Sequence, residues 1–190
     1  MCMGSWAQAV IFPQKKQPGV AKITQKSNSY QLANKVLKAS FINTGGKLYF
    51  NGCSELGLQP DTELFKVLLG DGSTVTASKM KLEDVKIVTL GEDPSAATAS
   101  LRYAGKALEA RFTYGDLSIT WRAVLRDGSH YLRTEMDIKA ARDLSMKGIV
   151  AMNYLVAKNV PTPLQKWWVI PVVPSWQAII SLPVWKLQWV

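Results

Sequence analysis

Apolar and polar residues alternate along the middle of the chain with a period of two residues. In residues 117–125 every second position is apolar, and most of the intervening positions are polar. Residues 131–140 alternate in the same way, and the pair Asp127-Gly128 separates the two runs. Successive side chains of a β-strand point to opposite faces, and Asp-Gly favours a tight turn. The two runs therefore predict an antiparallel hairpin.

Each strand of this hairpin should have one apolar face and one polar face. Trp121 shares its register with Leu117 and Ile119, so we expect it in the core and not on an exposed sugar-binding surface. The apolar face of the second strand comprises Leu132, Thr134, Met136, Ile138 and Ala140. Its polar face comprises Tyr131, Arg133, Glu135, Asp137 and Lys139.

The same pattern recurs in other parts of the chain. It predicts three more hairpins, at residues 36–50, 64–77 and 106–121, and a last strand at residues 148–156. Residues Leu82-Glu83-Asp84 would fit a short helical piece. No glycine-rich phosphate loop and no sustained amphipathic helix is found. Short connections favour a meander, so the predicted fold class is all-β, an antiparallel super β-sandwich that is incomplete and ends in an irregular C-terminal tail.

The N-terminal residues suggest export. Ala7-Gln8-Ala9 fits the small-x-small pattern that signal peptidase accepts, although the basic start and the apolar stretch of a complete signal peptide are missing. We interpret residues 1–9 as a signal-peptide remnant; a chance triplet in an ordinary N-terminus is the alternative. On this interpretation the β-sandwich domain spans residues 10–160. The protein would then be bacterial and secreted, periplasmic or on the cell surface.

The composition changes abruptly at residues 161–190. Five of the seven tryptophans and five of the nine prolines lie there, and the stretch has no Asp or Glu. The prolines exclude a regular helix or a clean strand. We predict that this aberrant tail results from a frameshift, because reading its codons one base earlier allows a sequence with acidic residues and turn signals. A functional aromatic platform for sugars or a membrane interface is the alternative.

Charge and cysteine content narrow the range of partners. The formal net charge is +9, but Lys and Arg are distributed along the chain without a basic helix, so we expect no nucleic-acid partner. With Cys2 assigned to the remnant, Cys53 is the one remaining cysteine and His130 the one histidine. We therefore predict no disulfide, no metal site and no cofactor. No long apolar stretch begins near the N-terminus, so no membrane span is expected there.

Carboxylates are present, but their pattern does not predict a catalytic pair. Glycoside hydrolysis needs two carboxylates that face each other across a sugar. The candidates are Glu109, Asp116, Asp127, Glu135 and Asp137. Glu135 and Asp137 alternate with Arg133 and Lys139, as is typical of a solvated strand face. No G-x-S-x-G nucleophile motif occurs. We predict that this chain holds no catalytic residue of its own.

The run from Ile119 to Arg133, ITWRAVLRDGSHYLR, resembles a known family. It is similar to the galactose mutarotase-like β-supersandwich domain that precedes the catalytic barrel in secreted endo-α-N-acetylgalactosaminidases and in enterotoxin-family proteins of gut bacteria. The resemblance extends over residues 10–158 in the general pattern of strands and turns, and its most specific part is WRAVLRDGS. It implies a super-sandwich fold and a parent glycoside hydrolase acting on O-linked or similar glycans. The catalytic acid and nucleophile of that family lie in the downstream barrel, so no catalytic residue is transferred.

The expected function is therefore that of an accessory, carbohydrate-binding fragment, with glycans or the missing catalytic domain as partners. The candidate binding residues are Tyr114, His130, Tyr131 and Arg133. Two alternatives stay open. A free-standing mutarotase or epimerase would need His130 opposite a carboxylate in a concave cleft. A non-enzymatic, adhesin-like surface module would bind glycans without hydrolysing them.

Overall fold

The computed structural model describes residues 16–53, 62–98 and 101–151. The proposed signal-peptide remnant at 1–9 and the aberrant tail at 161–190 lie outside these residues, as does the end of the predicted strand 148–156. The described part contains the following strands in chain order: β1 Lys22–Lys26, β2 Ser29–Ala33, β3 Lys38–Thr44, β4 Lys47–Cys53, β5 Lys66–Leu69, β6 Thr74–Thr76, β7 Lys81–Leu90, β8 Gly105–Tyr114, β9 Leu117–Arg126, β10 Arg133–Ala140 and β11 Met146–Val150. A 3-10 turn, Ala77–Lys79, precedes β7.

The strands form antiparallel sheets, as the all-β prediction requires. The first sheet is a meander in the order β1-β2-β3-β4, and the second is a meander in the order β10-β9-β8-β7. A third, smaller sheet has the order β11-β5-β6, so here the strand order departs from the sequence order. Within the ranges that the structure describes, no helix is long and apolar enough to cross a membrane.

The hairpin predicted from the alternating pattern is confirmed. Strands β9 and β10 pair antiparallel, with Trp121 opposite Met136 and Ala123 opposite Thr134. Gly128 in the connecting loop has φ +73°, a left-handed conformation that costs glycine little and other residues more. The hairpins predicted at 36–50, 64–77 and 106–121 are also formed, as β3–β4, β5–β6 and β8–β9.

The first and second sheets share one apolar core, which makes them the layers of a β-sandwich. Phe41 of β3 and Trp121 of β9 meet edge to face with their ring centroids 5.5 Å apart. Phe65, just before β5, packs in the same way against Phe112 of β8 at 5.3 Å. Trp121 is 2% exposed, so the expectation of a core tryptophan is confirmed. Burying each such side chain contributes about 1.5–3 kcal/mol.

One local prediction is wrong. The segment Leu82-Glu83-Asp84 is not helical but belongs to β7, which pairs with β8 along its full length. The register shifts between Leu82 and Asp84, as at a β-bulge. Leu82 and Val85 both pair with core-facing residues of β8, so the apolar spacing is three residues and not two. The bulge therefore interrupts the period-two pattern from which this strand could have been predicted. Strands β1 and β2 are also absent from the predicted elements.

Candidate functional site

The outer face of the second sheet carries a row of alternating charges. The strand registers place Lys86, Glu109, Arg122 and Glu135 side by side across β7, β8, β9 and β10. Lys86 Nζ lies 2.9 Å from Glu109 Oε1, and Arg122 Nε donates to Glu109 Oε2. Opposite charges on adjacent strands stabilise the sheet by roughly 0.2–1 kcal/mol a pair.

Glu109 is the most enclosed carboxylate of this row, at 6% exposure. Burial raises the pKa of Glu109, but hydrogen bonds from Lys86 and Arg122 and the charges of both outweigh it, so that the pKa lies below its ordinary value. A general acid needs a raised pKa in order to hold its proton near neutral pH. Glu109 is therefore suited to binding the two cations and not to donating a proton.

The other carboxylates named from the sequence are spread over the molecule. Glu135 is separated from Glu109 by Arg122, a span of two strands or about 10 Å, and it pairs with Arg133. Asp116 pairs with Arg142 through atoms 3.1 Å apart. The remaining two are Asp127, in the β9–β10 loop, and Asp137, exposed on β10. Of the five candidate carboxylates, all but Asp137 thus have a structural partner; the partner of Asp127 is described next.

The β9–β10 loop is anchored to the N-terminal part of the first sheet. Asp127 Oδ1 accepts a hydrogen bond from the Ala21 amide at 2.7 Å. The amide of Gly128 donates to the Gly19 carbonyl at 2.9 Å. Asn34 Nδ2 donates to the Ser129 carbonyl at 2.7 Å. These long-range bonds restrict the loop, so side chains at its ends are held in place before any ligand arrives.

A shallow depression lies beside this loop on the outer face of the second sheet. We call it the Arg126 depression; its lining residues are Val124, Arg126, Ser129, Tyr131 and Arg133. Val124 is 2% exposed and Tyr131 is 53% exposed, so an apolar floor lies near an accessible aromatic ring.

The guanidinium of Arg126 is held by neutral groups. Its Nη1 donates to the Tyr103 carbonyl at 2.6 Å and to the Gly91 carbonyl at 3.2 Å. Its Nε is buried and has no hydrogen-bond partner among the residues described. Burial, and then the nearby charge of Arg133, lower the pKa of Arg126 below its ordinary value, although the charges of Glu135 and Asp93 act in the opposite direction. The depression is thus lined by two guanidinium groups, those of Arg126 and Arg133.

The structure brings together two of the four predicted binding residues. Tyr131 and Arg133 line the Arg126 depression, whereas His130 is half-buried in the same loop and is not a lining residue. Tyr114 lies at the β8–β9 turn, the opposite end of the same ten-residue strands, which is about 30 Å away. A single site therefore cannot contain both Tyr114 and Tyr131.

Arg126 and Ser129 are lining residues that the sequence analysis missed. The period-two pattern could have found Arg126, because it follows Arg122 and Val124 on the same outward face of β9. The antiparallel register then places Arg133 opposite Val124, diagonal to Arg126. Ser129 follows the predicted Asp-Gly turn directly, and its hydroxyl donates to the Tyr131 carbonyl at 2.8 Å. No group of three or more His, Cys, Asp or Glu side chains in the described ranges could hold a metal ion.

The chain has no significant match to any protein-family model, to any curated protein or to any solved structure. The resemblance at residues 119–133 thus depends on those residues and not on a wider alignment. What the geometry adds is the Arg126 depression, formed by the second half of that same stretch.

Proposed function

We propose that this chain is a non-catalytic β-sandwich module that binds glycans through the Arg126 depression, as an accessory part of an exported glycoside hydrolase acting on O-linked-type glycans. The observation that supports the proposal is the exposed ring of Tyr131 beside Arg126 and Arg133, on a loop anchored to the first sheet. The resemblance of residues 119–133 supplies the enzyme context.

The chemistry of the depression fits a sugar. An aromatic ring offers an apolar surface to the C–H groups of a pyranose, while the planar guanidinium groups donate hydrogen bonds in fixed directions. The depression is shallow and open to solvent, unlike the enclosed pockets of roughly 300–1,000 Å³ that bury most of a small molecule. The depression therefore suits one terminal sugar residue held at the surface, which is what an accessory module needs.

A free-standing mutarotase or epimerase is the alternative that the depression supports less well. Such an enzyme requires an acid and a base on opposite sides of the sugar. Glu135, the carboxylate nearest in sequence to the lining residue Arg133, already pairs with it. Asp127, beside His130 in the loop, accepts the Ala21 amide hydrogen. The carboxylates of Glu135 and Asp127 thus both have structural partners, and neither is available as the acid or base of such an enzyme.

Binding can be tested with two matched tyrosine variants of the full chain. Tyr131 and Tyr114 are 53% and 47% exposed, and they lie at opposite ends of the second sheet. We expect a glycan array to identify ligands of the wild type, and Tyr131→Ala to weaken their binding by about tenfold. Tyr114→Ala should bind as the wild type does. Equal losses in the two variants, or none in Tyr131→Ala, would contradict the proposed site.

Catalysis can be tested separately. Saturation-transfer NMR on galactose measures the exchange of its anomers without a coupled enzyme. We expect the exchange rate with the protein to equal the buffer rate. An accelerated rate that His130→Gln removes would establish the enzyme alternative. Bound glycans that stay intact on long incubation, together with an unchanged exchange rate, would support a binding module.

A further inference from the structure

The arginines of the second sheet differ in what neutralises them. Arg122 pairs with Glu109, and Arg133 pairs with Glu135. Arg111 lies 3.8 Å from a carboxylate oxygen of Asp84. Arg126 is the exception, because no carboxylate of the described chain lies within 4.0 Å of it and its Nη1 contacts are carbonyl oxygens.

The missing direct contact with a carboxylate has an energetic consequence. A half-buried guanidinium has lost part of its hydration, and neutral carbonyls replace that hydration only in part. The charges of Glu135 and Asp93 act on Arg126 only from beyond salt-bridge distance, and Glu135 itself pairs with Arg133. An anion from outside could therefore take the contact position beside the guanidinium of Arg126 that no carboxylate of the described chain occupies.

The residues that line the Arg126 depression favour one kind of anion over others. Guanidinium groups match the two oxygens of a carboxylate with parallel hydrogen bonds. The exposed ring of Tyr131 and the apolar floor at Val124 provide contacts that a small inorganic ion cannot use. A carboxylate carried on a sugar ring uses both parts of the depression at once.

We infer that the Arg126 depression selects glycans that end in a carboxylate-bearing sugar, with Arg126 and Arg133 facing the carboxylate and Tyr131 facing the sugar ring. This inference rests on the proposed glycan-binding function and specifies its ligand class. Neutral sugars would lack the group that neutralises Arg126.

The test compares two probes with the same sugar chain: trigalacturonic acid, which carries carboxylates, and its full methyl ester, in which each carboxylate is an uncharged ester. Calorimetric titration of the full-length protein should give binding of the acid that is roughly 10- to 100-fold tighter than binding of the ester. Raising the salt concentration should weaken the binding of the acid and leave the binding of the ester unchanged. Arg126→Gln should reduce the affinity for the acid to that for the ester. Arg142→Gln, at the opposite end of the sheet, should leave the preference unchanged.

Arg133→Gln provides a second route if Arg126→Gln unfolds, because Arg133 also lines the depression. Equal affinity for acid and ester would overturn the charge selection but leave glycan binding intact. Binding of neither probe would overturn this inference, while the array with neutral glycans decides the proposed function independently. A preference for the acid that survives both arginine variants would assign it to another surface and overturn the inference as well.

Discussion

The two faces of the second sheet are made by alternate residues of the same strands, yet they hold the protein together in different ways. The inner face is buried by contact with the first sheet, and Phe112, Ile119 and Trp121 lie in its core. The outer face also buries residues, but it does so through charged pairs such as Glu109 with Arg122. Apolar burial is non-directional, whereas charge pairing depends on the distance and identity of each partner. The inner face therefore contributes stability without requiring particular partners, and the outer face is where the proposed ligand selection would take place.

The largest expected effect is on the inner face, at Trp121. Its ring fills the space between the sheets and contacts Phe41 edge to face. Trp121→Ala leaves a cavity in the core, so we expect the free energy of unfolding to fall by about 3–5 kcal/mol in urea titrations. A loss below about 1 kcal/mol would mean that the two sheets do not share a core.

A matched variant separates the volume of Trp121 from its polar atom. The indole N–H is buried and has no hydrogen-bond partner among the described residues. Trp121→Phe removes this unsatisfied donor and keeps much of the aromatic contact, so we expect it to cost only about 1–2 kcal/mol. If Trp121→Phe were as damaging as Trp121→Ala, the indole N–H would have a partner outside the described ranges.

The next effect concerns the loop that positions the Arg126 depression. Asp127→Ala leaves the Ala21 amide without its acceptor, and the free energy of unfolding should fall by about 1–3 kcal/mol. Asp127→Asn keeps an acceptor oxygen and should recover most of that loss. Asp116→Ala removes an exposed ion pair at the other end of the sheet and should cost less than about 1 kcal/mol. Thermal melts of the three variants make the comparison, and equal shifts in all of them would contradict a special role for the loop anchor.

The strands of the second sheet show where sequence reasoning succeeds. Strands β9 and β10 could be predicted because one face of each is apolar and the other polar, which gives a clean period of two. Strand β7 could not, because its bulge puts Leu82 and Val85 three residues apart on one face. Strand β1 could not either, since among its residues only Ile23 packs against the core. Alternation therefore predicts a strand only where pairing is regular and one face is buried.

The candidate site was predictable only in part. Tyr131 and Arg133 follow from the alternating pattern of residues 131–140, although β10 itself begins only at Arg133. The sequence does not predict that Arg126 donates to neutral carbonyls and not to a carboxylate. That arrangement depends on Gly91 and Tyr103, which come from other parts of the chain. Tyr114 and Tyr131 are both candidates from the sequence, and the fold places them at opposite ends of the second sheet. Residue type and exposure are similar for the two tyrosines, and only the direction of the strands separates them.

The smallest expected effect tests the charged face through its pH dependence. The pKa of Glu109 in the folded protein lies below the ordinary value of 4.5, because hydrogen bonds from Lys86 and Arg122 outweigh the effect of burial. A depressed folded-state pKa contributes stability that is fully present above the unfolded pKa and is lost as the pH falls through the folded one. Glu109→Gln removes the charge but keeps the shape, so we expect a cost of about 1 kcal/mol at pH 7, limited because both cations are partly exposed.

This cost should shrink as the pH drops below about 4.5, because the unfolded wild type then binds a proton that the folded protein, with its lower pKa, does not yet bind. Denaturant titrations of both proteins from pH 7 to pH 3 measure the difference directly. Asp137→Asn, an exposed carboxylate on the same outer face, serves as the control and should change stability by less than about 0.5 kcal/mol throughout. A cost for Glu109→Gln that stays constant with pH would mean that shape and not charge holds Glu109 in place. The outer face would then be stabilised in the same way as the inner one, and the contrast between the two faces would no longer hold.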